Sequence, residues 1–113
     1  MAYNITEGTT IRFYTTQPFT SLSGTAINPD TVFFSYQIQG QTSVTHTWTN
    51  PSGDTSGVIQ NDGTGLFHAD ISTTGLAGTW NYVWGCYPSS GIDTTKTAVV
   101  AEGTVTVSQN LIQ

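Results

Sequence analysis

Two residues of this chain stand where a metal chemist would look first. In Leu66-Phe67-His68-Ala69-Asp70-Ile71, His68 and Asp70 lie two apart, with Asp62 a few residues upstream. Residues two apart on an extended chain share a face, so this strand would offer one imidazole and one carboxylate side by side. A closed structural zinc site takes about four ligands, and no spacing ties the other histidine, His46, to this face. The expectation is a hydrogen-bonded polar face, with no metal and no cofactor. Acid–base catalysis would have to draw on Asp54, Asp62, Asp70 and Asp93. All but Asp70 sit in turn-forming stretches, where Asp caps its own backbone. There is no Gly-x-Ser-x-Gly elbow, phosphate-cradling loop or Cys–His signature. No residue is assigned a catalytic role, and the chain is expected not to be an enzyme. Trp48, Trp80 and Trp84 are the third candidate group. Exposed together they would form a sugar-stacking platform; Trp80 and Trp84 read better as core, and Trp48 as the surface aromatic.

The elements that would position these residues are strands. Asp62 to Cys86 holds a glycine-rich turn (Asp62-Gly63-Thr64-Gly65), a strand, a second turn and a second strand. Leu66, His68 and Asp70 alternate with Phe67, Ala69 and Ile71. Trp80, Tyr82, Trp84 and Cys86 alternate with Thr79, Asn81, Val83 and Gly85. The second set is the largest apolar block of the chain, and the rest is expected to pack on it, because each buried ring removes roughly 150–250 Å² from water. Thr9 to Thr15 reads as a first strand with Ile11 and Phe13 on one face. The proline-containing stretch from Gln17 to Asp30 reads as a loop. Val32 to Gln39 and Ser43 to Thr49 read as a hairpin across Gly40-Gln41, followed by a turn at residues 50–54. A short strand is expected within Thr55 to Gln60. The last strand, Thr97 to Val107, carries Gly103 in its middle, the mark of a bulge or of another chain's close approach.

No stretch shows a helical apolar period. Six or seven short alternating segments with turns between them predict an all-β fold, an immunoglobulin-like antiparallel β-sandwich of about seven strands. One domain is expected over residues 1–113, with short polar arms at 1–8 and 108–113.

Only 8% of residues are charged, with a net charge of −5 and two basic residues, Arg12 and Lys96. An average soluble protein has about 25%. Without a basic footprint, nucleic acid and anionic membrane surfaces are poor partners. A Thr-, Ser-, Asn- and Gln-rich surface suits either solvent or close packing against another protein. The single Cys86 excludes an internal disulfide. The N-terminal MAYNITEGTT has no basic stretch followed by an apolar run, so it does not read as a signal peptide.

The order of motifs carries a resemblance. Ile11-Arg12-Phe13, Phe19-Thr20, Gly24-Thr25-Ala26 and Asn28-Pro29-Asp30-Thr31-Val32-Phe33-Phe34 are followed by Asp62-Gly63-Thr64-Gly65-Leu66-Phe67-His68-Ala69-Asp70. Then come Gly78-Thr79-Trp80-Asn81-Tyr82-Val83-Trp84 and Ala101-Glu102-Gly103-Thr104-Val105-Thr106-Val107. This order resembles small Ig-like proteins encoded in tailed-bacteriophage structural gene clusters. The resemblance implies a non-enzymatic virion component, assembled in the host cytoplasm. The expected role is a capsid decoration or cement protein that binds the major capsid protein as a homo-multimer. The alternatives are a neck or tail component and a glycan-binding module. Candidate partner contacts are Tyr3, Ile5, Phe33, Trp48, Leu111 and Ile112. Phe33 is chosen because it gives its strand an apolar side chain on the second face, the others as anchors on the arms or as a surface aromatic.

Overall fold

In the computed structural model the residues described are 4–20, 24–50, 52–87 and 98–109, with the side chains of residues 4 and 98–101 left aside. Eight strands make up the described chain, which has no helix: β1 (Asn4–Thr6), β2 (Thr10–Tyr14), β3 (Thr31–Ile38), β4 (Val44–Thr49), β5 (Ile59–Gly63), β6 (Leu66–Ser72), β7 (Gly78–Cys86) and β8 (Ala98–Ser108). They form a five-stranded sheet, β1-β8-β7-β3-β4, and a three-stranded sheet, β2-β6-β5. The aromatic strand β7 lies at the centre of the first sheet and β6 at the centre of the second.

Period two sets the faces. On β3, Val32, Phe34 and Ile38 are buried while Phe33, Ser35 and Gln37 point the other way; on β6, Phe67, Ala69 and Ile71 are buried. Phe34 lies 5.0 Å from Phe13 across the sandwich and 4.9 Å from Trp84 within its own sheet. Tyr36 stacks on Trp80 at 4.8 Å. The Trp80 indole is fully buried and its Nε1 donates to the Leu76 carbonyl at 2.9 Å.

Three local readings are corrected. The described part of the expected N-terminal arm includes a strand: Asn4–Thr6 pairs in parallel with Thr106–Ser108, and the Glu7 N–H donates to the Ser108 carbonyl at 2.8 Å. Alternation over so short a polar stretch is too weak to announce a strand; an available sheet edge makes it one. The short strand after residue 54 starts at Ile59 and runs through Asp62 to Gly63, so the β5–β6 turn shrinks to Thr64-Gly65. Gly103 admits neither a bulge nor another chain. The register shift lies elsewhere on β8, where Val100 is the extra residue between Val99 and Ala101 opposite Gly85 and Trp84, and it is the Tyr82 ring that lies over Gly103.

Candidate functional site

The antiparallel pairing of β2 with β6 places Arg12 opposite Asp70 and Tyr14 opposite His68 on the outer face of the three-stranded sheet. The Arg12 fork donates from Nε to Asp70 Oδ1 at 2.8 Å and from Nη2 to Oδ2 at 2.9 Å. That bond holds the Asp70 carboxyl below the usual carboxylate range and raises the guanidinium above its own. His68 Nδ1 lies 2.7 Å from Asp62 Oδ1, and its Nε2 is 3.9 Å from Asp70 Oδ2. The Tyr14 ring stands 6.1 Å from the imidazole.

His68, Asp70 and Asp62 do therefore meet, and Arg12 joins them. Both Asp70 oxygens are committed to Arg12, and one Asp62 oxygen to His68. Among the described residues no group of three or more His, Cys, Asp or Glu side chains is placed to hold a metal. His46 is on the other sheet, its ring 6.3 Å from Tyr36. Asp54 behaves as a turn residue. Its Oδ1 accepts from the Ser56 N–H at 2.8 Å and the Ser56 hydroxyl at 2.6 Å, and its Oδ2 from the Ile59 N–H at 3.0 Å. Burial pushes this carboxyl up, but the hydrogen bonds outweigh it and hold the group below its ordinary value. Asp93 lies outside the described residues.

The tryptophans form no platform. Trp80 and Trp84 are fully buried and Trp48 is 8% exposed, its ring set edge-on to Phe67 at 4.8 Å. Trp48 is thus corrected from a surface aromatic to core. Its neighbours on the same face, Val44 and His46, made that face look wet; pairing with buried Val32 on β3 turns it inward. Of the other candidate contacts, Ile5 packs against the core of its own domain. Phe33 is half-buried on the outer face of the five-stranded sheet, its ring 5.1 Å from Tyr87. Tyr3, Leu111 and Ile112 lie outside the described residues.

That outer face is the broadest one available. Thr45 and Thr47 of β4, Phe33, Ser35 and Gln37 of β3, Asn81 and Val83 of β7, and Glu102 and Thr104 of β8 lie across it. A shallow depression of about 270 Å³ crosses it between Ser35, Gln37, Ser43, Asn81, Val83 and Glu102. Glu102 is its one charged side chain among the described residues. Period two makes each of these residues legible as outward-facing, but the adjacency of β3, β7 and β8 joins segments distant in sequence. The surface they make together is not legible.

No family model matches the chain. No curated protein matches it either. Thirteen chains of solved structures do. One belongs to the structure described as "Structural basis of T cell specificity and activation by the bacterial superantigen toxic shock syndrome toxin-1", at 11% identity, with 95% of this chain and 91% of that chain covered and a TM-score of 0.50. Another is the extracellular portion of mouse CD200RLa, at 13% identity, with 96% of this chain and 54% of that chain covered and a TM-score of 0.44. The fold is an immunoglobulin-like β-sandwich. At such identities the likeness concerns the fold alone, and function has to be argued from the surface.

Proposed function

We propose that this protein is a non-enzymatic structural component of a tailed-phage particle, a decoration or cement protein that binds the major capsid protein through the outer face of its five-stranded sheet. The motif order described above supports the phage assignment. The observation that carries the binding mode is the chemistry of that face. It is broad, made of Thr, Ser, Asn and Gln around Phe33 and Val83, with Tyr87 beside Phe33 and, among the described residues, a single carboxylate, Glu102. Interfaces are depleted of charge at their centres and enriched in aromatic residues. Sparse charge also lowers the repulsion between neighbouring copies on a shell. Individual contacts can be weak, because many copies on one particle gain through avidity. The glycan reading rested on exposed tryptophans, which this fold buries.

The test is particle resistance to heat or osmotic shock with and without the protein. Particles lacking it lose resistance and regain it when the wild type is added back; Val83→Asp, which puts a second charge on the face, restores it poorly. Particles that survive equally well without the protein but fail to join tails would move it to the neck or tail. Particles that neither weaken nor fail would refute the structural role.

A further inference from the structure

Sandwich edges are where one copy of a β-protein meets another, and natural folds close them with charge, bulges or short strands. Three of the four edges here are closed. β1 has only three residues. On β5, the Asp54 carboxylate takes the Ile59 N–H, and a register shift between Asn61 and Gly63 breaks the ladder. On β2, the backbone bonds from the Thr15 N–H to the Phe67 carbonyl and from the Thr73 N–H to the Thr9 carbonyl turn odd-numbered residues toward β6. The outward groups are then those of Thr10, Arg12 and Tyr14, with a charged side chain in the middle.

β4 is different. The Asn50 N–H donates to the Asp30 carbonyl at 2.9 Å, so even-numbered residues of β4 point their backbone groups at β3. The odd-numbered ones point away. Thr49 is closed off by its exchange of hydrogen bonds with Gly53. That leaves Thr45 and Thr47, whose outward N–H and C=O groups have no backbone partner among the described residues. No Asp, Glu, Lys or Arg occurs from Thr31 to Gly53; the charge nearest this edge is the Asp54 carboxylate, which is held by Ser56 and Ile59 and interacts with His46.

We infer that β4 is the contact between copies of this chain, pairing antiparallel with β4 of a second copy about a two-fold axis at His46. The inference rests on the reading that the protein works in many copies, and it names the edge that joins them. The register follows from the free groups. Within β4, both Thr45 and Thr47 are satisfied when Thr45 faces Thr47 of the second copy, a pairing that makes four N–H···O bonds and puts His46 opposite itself. Val44, 39% exposed in the single chain, then lies across from Trp48 of the second copy and is covered. The sparsely charged outer faces of the two five-stranded sheets join into one surface. The contact is isologous, so it closes at two copies and builds no fibre.

Cross-linking tests this. His46 opposes itself in a non-hydrogen-bonded pair with about 4.5 Å between Cα atoms, within disulfide reach, whereas Thr45 is offset from its own copy beyond about 7 Å. Under mild oxidation His46→Cys gives a covalent dimer at least about ten-fold faster than Thr45→Cys. Cys86 is buried and serves both as common background. Adding Thr47→Pro to His46→Cys abolishes the dimer, because it removes an outward N–H that the fold itself does not use. Thr45→Pro does the same at the other outward N–H, and a wild-type circular dichroism spectrum certifies either variant. Equal rates for His46→Cys and Thr45→Cys overturn the inference even if neither proline variant folds. So does a folded Thr47→Pro variant that cross-links normally, or one that loses particle binding while His46→Cys gives no dimer, which would assign the edge to a strand of another protein. Particles indifferent to the protein would sink the virion role while leaving this dimer standing.

Discussion

Gly65→Ala is expected to be among the most damaging one-methyl changes in this chain. Gly65 sits in the β5–β6 turn at φ +77°, and a Cβ there would come within 2.8 Å of the Phe19 carbonyl oxygen and 3.0 Å of both the Ile27 carbonyl oxygen and the Phe19 nitrogen. These are backbone atoms tied to one another. The Phe19 N–H donates to the Gly65 carbonyl at 3.0 Å, the Ile27 N–H donates to the Phe19 carbonyl at 2.9 Å, and the Gly65 N–H donates to Asn28 Oδ1 at 2.7 Å. The left-handed backbone costs alanine about 1–2 kcal/mol. Overpacking against rigid neighbours costs about 1–3 kcal/mol, and each hydrogen bond lost to relief of the clash about 1 kcal/mol. With one such bond lost the total is about 3–6 kcal/mol, a large part of the roughly 5–15 kcal/mol that holds a domain folded. Gly75→Ala is the control. Its φ is +72°, but nothing lies within 4 Å of the added methyl, so it should show the backbone term alone, about 1–2 kcal/mol. Urea unfolding at constant m-value measures both. If the two variants lose the same stability, Gly65 matters only for its φ, and the packing of the 17–30 loop onto this turn is not what holds that end of the sandwich.

Gly103→Ala should cost about 1–3 kcal/mol, because the new methyl meets the Tyr82 hydroxyl at 2.7 Å and its ring carbons at 3.0 and 3.1 Å, and that ring is itself packed against Phe13 at 4.8 Å. Tyr82→Leu should absorb most of this loss in a double-mutant cycle, and strict additivity would show that the ring is not the obstacle. Trp80→Ala should cost about 3–5 kcal/mol, and an unchanged denaturation midpoint would place Trp80 outside the core. The phenylalanine variants separate the two buried indoles. Trp80→Phe strands the Leu76 carbonyl, whereas Trp84→Phe removes an Nε1 with no acceptor among the described residues. Trp84→Phe should therefore be milder by about 1 kcal/mol, and the reverse order in thermal unfolding would contradict this bookkeeping. The Asp54 and Asp70 carboxyls both titrate below their ordinary value in the fold. The unfolded chain then takes up their protons first, near pH 4, so their stabilisation is complete above that pH and is lost as pH falls through the lower folded values. Asp54→Asn should flatten this acid limb, and a limb of unchanged slope would show that Asp54 contributes nothing to it.

The sequence by itself determined the faces and most of the core. Phe34, Phe67, Trp80 and Trp84 are buried as their alternation requires, because the two-residue period is a property of the extended backbone and needs no partner. It also determined that His68 and Asp70 share a face, and that Asp54 serves its own turn. Tertiary structure decided whatever depends on which strand lies beside which. Arg12 reaches Asp70 through the β2–β6 register, across 58 positions of chain. Asp62 leaves its expected turn to meet His68 because β5 runs on to Gly63. Trp48 is buried because the second sheet brings Phe67 to it. Asn4–Thr6 becomes a strand because β8 has an edge to share. Periodicity names the side of a strand a residue occupies. Pairing between distant segments is settled by the packing of the whole sandwich, and this decides whether that side meets solvent, a neighbouring ring or an opposite charge.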